Sequence, residues 1–157
     1  MIFSVIYLSK QFIADYPQSH YRELMLKDKR PYGCLLIKTH NDYYICVPFR
    51  SHIHHKNAFL FKNTERSKAD SSGLDYSKTV LIRPEDYDKY LIENAVVDTD
   101  EYKAVRMNIY KIEKQILKYI EGYVKSVSDF ENADKKSFER KYKYSTLKYF
   151  HDILGIE

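Results

Sequence analysis

The sequence predicts an α+β protein. Its first half should form a small, strongly bent antiparallel sheet, a half-barrel, wrapped by helices, and its C-terminal half should be helical. Two observations carry this. Short runs rich in β-branched and aromatic residues, broken by turn chemistry, occupy the chain up to residue 82. Beyond residue 99, apolar residues recur at three- and four-residue steps. A chain of 157 residues, 44% apolar, fits one domain around one core.

Residues 2–8 read as a strand. Ser9 can cap a short helix that ends before Pro17. A helical turn is expected around Tyr21–Leu26. Tyr32–Lys38 and Tyr43–Phe49 are β-rich, and Thr39-His40-Asn41-Asp42 between them predicts a hairpin. Asn57–Lys62 reads as a short strand, residues 63–75 as the most loop-like segment, and Thr79–Ile82 as another strand. Pro84-Glu85-Asp86 looks like a helix start, with acids facing the positive end of the helix dipole. Thr99 or Asp100 can cap a long helix to about Ser126. Its apolar stripe is Tyr102, Val105, Ile109, Ile112, Ile116, Ile120 and Tyr123. A final helix is expected from about Lys135 to Leu154, with Phe138, Tyr142, Leu147, Phe150 and Leu154 on one side.

Composition narrows the function. Cys34 and Cys46 are too few for a disulfide framework and read as buried thiols. No apolar stretch is long enough to span a bilayer and the start lacks a basic leader, so the expectation is a cytoplasmic protein without a membrane partner. Net charge is only +4, but it is polarised. Residues 50–68 carry five Lys/Arg against one acid, residues 135–149 six against one, and residues 85–101 seven acids against one base. Sixteen tyrosines can fill a core or stack on bases.

The chemistry-bearing stretch is Pro48-Phe49-Arg50-Ser51-His52-Ile53-His54-His55-Lys56. It holds a hydroxyl, three imidazoles and two cations, with no acid. Such groups bind phosphate, move protons near neutral pH and steady developing negative charge. A serine-nucleophile hydrolase is disfavoured: there is no Gly-x-Ser-x-Gly elbow, and Ser51 and His52 are chain neighbours. No metal or other cofactor is expected. In an extended segment His52 and His54 would share a side, but no further ligands stand at set spacing. No Gly-rich loop supports nucleotide triphosphate binding. What remains is RNA cleavage through the ribose 2′-OH, with His or Lys as acid and base and Arg as clamp, or a solvated basic loop.

The order of Lys29-Arg30-Pro31-Tyr32, strand, turn, strand, Pro48-Phe49-Arg50-Ser51-His52-Ile53, and then Gly73-Leu74-Asp75-Tyr76-Ser77-Lys78 resembles the toxins of type III toxin–antitoxin systems. These form the ToxN/AbiQ superfamily, and the likeness is greatest to its CptN and TenpN branches. It covers about residues 1–82 and returns in Tyr144-Ser145-Thr146-Leu147-Lys148-Tyr149-Phe150. The resemblance implies a Kid/MazF-like bent sheet. It implies a metal-independent, sequence-selective endoribonuclease that leaves 2′,3′-cyclic phosphate and 5′-hydroxyl ends on cellular or phage RNA. The implied partner is a small pseudoknotted RNA antitoxin, excised by the toxin from a repeat transcript and held in a closed symmetric toxin–RNA complex. Abortive infection is an implied role.

Residue by residue, Lys29 matches the lysine before the hairpin, with Arg30 beside it, and Ser51 matches the strand-end serine. Arg50 replaces a threonine and suggests a phosphate clamp. Ile53 and His55 stand where the family has lysine and tryptophan, so His52 or His54 is expected to do acid–base work. The antitoxin surface is then expected to include His55, Lys56, Lys62, Arg66, Lys68, Lys78, Lys141, Tyr142, Lys143 and Tyr144. The alternatives are a non-catalytic RNA-binding module and a MazF-like RNase with a protein antitoxin.

Overall fold

The computed structural model describes residues 3–24, 33–38, 42–131 and 134–156. It is an α+β fold. Strand β1 (Phe3–Leu8), helix α1 (Lys10–Asp15) and a 3₁₀ turn (Arg22–Leu24) precede the hairpin strands β2 (Gly33–Lys38) and β3 (Tyr44–Ser51). Then come β4 (Ala58–Leu60), α2 (Glu65–Ala69), β5 (Ser72–Asp75), a 3₁₀ turn (Tyr76–Lys78), β6 (Val80–Ile82), α3 (Tyr87–Tyr90) and β7 (Leu91–Ile92). The C-terminal half is helical: α4 (Thr99–Ser128), α5 (Lys135–Tyr142), a 3₁₀ turn (Thr146–Tyr149) and α6 (His151–Leu154).

The sheet is antiparallel throughout and ordered β4-β5-β3-β2-β1-β7, with β6 also paired to β3. It is not closed into a barrel. The feature that matters for function is β3. Along one edge its first half pairs with β6 (Tyr44↔Ile82 to Cys46↔Val80) and its second half with β5 (Phe49↔Leu74 to Ser51↔Ser72). Pro48 has no N–H to donate and stands in the gap between these partners. The turn Tyr76–Lys78 joins β5 to β6, so its side chains gather where the edge changes partner.

Several elements match their sequence expectation. Ser9 caps α1 by accepting from Phe12 N–H at 3.1 Å. The hairpin pairing of β2 with β3 forms, although Thr39, His40 and Asn41 of its turn lie outside the described residues. The α4 stripe from Val105 to Tyr123 is buried in the same core as β2, β3 and β6. Tyr102 is the exception, 42% exposed against the Phe3 ring. Cys34 and Cys46 are buried thiols, and burial pushes both pKa values up. Among the described residues no helix is long and apolar enough to cross a membrane.

Two expectations are corrected. Residues 63–75 are not a loop. Thr64 and Ser67 form a reciprocal capping box that starts α2, and all four residues of β5 are buried. Gly73 permits this: a Cβ there would lie 2.0 Å from the Phe59 carbonyl oxygen, so β4 can approach only a glycine. The C-terminal helix is also not continuous. It breaks after Tyr142, where side-chain bonds outcompete the helix. Ser145 Oγ accepts from Leu147 N–H at 3.2 Å, and the Thr146 hydroxyl donates to the Ser77 and Thr79 carbonyls. That break docks the C-terminal segment on the turn Tyr76–Lys78.

Candidate active site

Asp75 is the last residue of β5 and is fully buried. Antiparallel register explains its company. Arg50 stands opposite Gly73, so Asp75 is its diagonal neighbour on the same face of the sheet. Arg50 Nη1 donates to Asp75 Oδ2 at 2.7 Å. Ser77 donates to Asp75 Oδ1 twice, from its hydroxyl at 2.6 Å and its backbone N–H at 3.0 Å. His55 Nε2 lies 3.2 Å from the same oxygen and 3.4 Å from Ser77 Oγ. Since His55 Nδ1 accepts Asn57 N–H at 3.1 Å, the neutral ring carries its proton on Nε2 and directs it at Asp75. Burial alone would raise the Asp75 pKa. The hydrogen bonds from His55 and Ser77, with the nearby charge of Arg50, outweigh it and hold the carboxyl below its usual value.

Lys78 ends the same turn. Its side chain is buried and its Nζ donates to the Tyr144 carbonyl at 3.0 Å. Desolvation lowers its pKa, and neighbouring Asp75 pulls the other way. Lys78 also lines an open cleft of about 780 Å³ with Gln18, Ser19, Arg22, Glu23 and Tyr144. The cleft therefore combines polar side chains with an amine whose ionisation is perturbed, and the Asp75 cluster lies beside that amine.

The structure redistributes the residues that the sequence singled out. Arg50, His55 and Lys78 come together around Asp75. Ser51 does not join them: as strand neighbours, Arg50 and Ser51 face opposite sides of the sheet, and Ser77 supplies the hydroxyl beside Arg50. His52 and His54 gather instead at Asp70, with His52 Nδ1 paired to Asp70 Oδ2. Lys29 and Arg30 lie outside the described residues.

Of the expected RNA-binding residues, Lys56, Lys62, Lys68, Lys141, Lys143 and Tyr144 are exposed. Tyr142 is not available for base stacking: it is buried against Tyr119 and Tyr123, and its hydroxyl donates to the Tyr119 carbonyl at 2.9 Å. Arg66 is committed to Glu101 by two bonds of 2.7 and 2.8 Å, which bind α2 to α4.

Sequence reasoning missed Asp75, Ser77 and Asp70. Asp75-x-Ser77 carried a readable local signal, because an aspartate commonly caps the N–H two residues on. Nothing local marked either aspartate as a partner for residues about twenty positions upstream. Comparison of the chain with protein-family models, curated proteins and solved structures finds no match.

Proposed function

We propose that this protein is an endoribonuclease of the type III toxin class, with a Kid/MazF-type sheet, acting on RNA laid in the Lys78 cleft. The observation that carries the reading is Lys78 itself. It is a desolvated amine with lowered pKa on a polar cleft, beside the Arg50–Asp75–His55–Ser77 cluster. Desolvation makes this amine release its proton more readily than an ordinary exposed lysine, the direction a proton-transfer role needs. In cleavage, the ribose 2′-oxygen attacks the adjacent phosphorus as its proton leaves to a base. The 5′-oxygen departs as it receives a proton, leaving a 2′,3′-cyclic phosphate.

Lys78 is the first proton-transfer group of this scheme, and His55 joins it when substrate takes the place of the Asn57 N–H at Nδ1. Arg50, aided by Arg22 on the cleft wall, stabilises the charge that develops on phosphorus-bound oxygens. Asp75 is a positioning residue: it aims Arg50 and orients the His55 ring. The exposed lysines of segments 56–68 and 135–149, with Tyr144 carrying Lys143 over its ring at 5.5 Å, suit a phosphate-rich ligand such as a folded RNA antitoxin.

The test is cleavage of RNA by antitoxin-free protein in EDTA, with end-group analysis. Lys78→Met and His55→Ala should each abolish cyclic-phosphate ends while RNA binding persists and thermal melting shows a folded chain. Intact RNA with the unaltered protein would overturn the reading. A second reading, a non-catalytic RNA-binding module, is favoured by the existing commitments of Arg50 to Asp75 and Lys78 to Tyr144. It predicts salt-sensitive RNA binding without any new ends.

A further inference from the structure

We propose that His52, His54 and Asp70 form a binding site for one divalent transition-metal ion of the Zn²⁺ type. One ligand atom from each lies within 4.8 Å of the others. Three donors of the His₂-carboxylate kind are a recognised zinc set that keeps a fourth position open. Tetrahedral coordination at ordinary bond lengths places donors about 3.3 Å apart, so adjustments on the order of 1 Å, with His52 and Asp70 drawing slightly apart to admit the ion, would form the site. Exposed side chains can make such movements by small rotations, and His52 is 76% exposed at its side chain.

The backbone around the cluster is already fixed. Ile53, between the two histidines, is buried, and its N–H donates to the Ser71 carbonyl at 3.2 Å. That bond pins the exit of β3 to the residue after Asp70. Asp70 closes α2 through its own N–H to the Arg66 carbonyl at 3.1 Å. Its Oδ1 accepts Ser71 N–H at 2.7 Å, which leaves Oδ2 turned toward His52. An outer bond of this kind is what orients a metal-binding carboxylate.

His52 itself adopts a left-handed backbone, φ 57°. A non-glycine residue in this region is uncommon, and here it turns the imidazole toward Asp70. The two histidines therefore converge through this left-handed residue, not through strand alternation. The ring–carboxylate contact between His52 and Asp70 is one that a cation can take over.

The ion would clip residue 52 to residue 70 and fix the segment that carries His55. The site does not depend on the ribonuclease reading, because its readouts are metal binding alone. The experiment is calorimetric titration of the untagged full-length chain with ZnCl₂ at pH 7.5, paired with Co²⁺ absorption. One ion per chain is expected, with the intense visible bands of tetrahedral Co²⁺ and a melting temperature that rises with Zn²⁺ concentration. Asp70→Ala and His54→Ala should each weaken binding by more than the roughly 10–100-fold that follows loss of an outer-shell partner. His20→Ala, an exposed histidine elsewhere, should leave it unchanged. Absence of saturable binding, or binding that survives Asp70→Ala, would overturn the proposal; the latter would mark adventitious capture by surface imidazoles. Far-UV circular dichroism of each variant separates loss of the site from loss of the fold.

Discussion

Asp75 and Asp70 sit five residues apart in the chain, and each meets a histidine from the segment after β3, yet they belong to opposite physical regimes. Asp75 is fully buried, and Arg50, Ser77 and His55 all converge on it. Asp70 is only partly covered and faces an imidazole that is 76% exposed. A buried carboxylate must be satisfied by several donors, because no water replaces a lost one. A surface carboxylate can exchange partners freely, since solvent screens the change. The same residue types therefore make a rigid, preorganised cluster at one place and an adaptable ligand set at the other.

The largest effect should come from breaking the buried side of this comparison. Asp75→Ala leaves Arg50 without its carboxylate and should lower stability by about 3–5 kcal/mol in urea denaturation. A loss as small as that of a surface variant would mean that the cluster is not a true buried network. Next is Gly73→Ala, which forces a Cβ against the Phe59 carbonyl and pushes β4 off the strand that seats Asp75. Its expected cost is about 3 kcal/mol, the upper end of the overpacking range, read from the denaturation midpoint.

Acid titration sharpens the contrast further. The folded Asp75 pKa lies below its usual 3.8. Its contribution to stability is thus fully present above that value and is lost as pH falls through the lower folded pKa. Glu23 behaves likewise. Burial opposes its ionisation, but bonds from Lys148 and Tyr149 prevail and bring its pKa from 4.5 down to about 2. Glu23→Gln should therefore flatten the stability curve between about pH 4.5 and 2, as followed by acid unfolding at fixed urea. The smallest effect belongs to Asp70→Asn, which should leave the metal-free denaturation midpoint unchanged while removing Zn²⁺-dependent stabilisation. A clear loss in the metal-free protein would erase the distinction between the two aspartates.

Much of the fold was legible because its signals are local. The Ser9 cap, the β2–β3 hairpin and the α4 stripe each follow from neighbours within a few residues. The errors have local causes too. The polar composition of residues 63–75 hid both a capping box and a buried strand, since a strand of Ser72-Gly73-Leu74-Asp75 has no apolar alternation to read. The apolar stripe of residues 135–154 suggested one helix, but Ser145 and Thr146 make tertiary and local bonds that end it.

By itself the sequence determined the fold class, the order of its major elements and the segment, residues 50–56, in which imidazoles and cations concentrate. Periodicity, turn residues and charge runs are written in consecutive positions. Only the tertiary structure decided which carboxylate answers which cation: Arg50 with Asp75 across paired strands, His52 with Asp70 across a left-handed turn, and Lys78 beneath the Tyr144 carbonyl. Those pairings depend on strand register and on burial. Both are set by the whole core, and neither leaves a mark in any single stretch of chain.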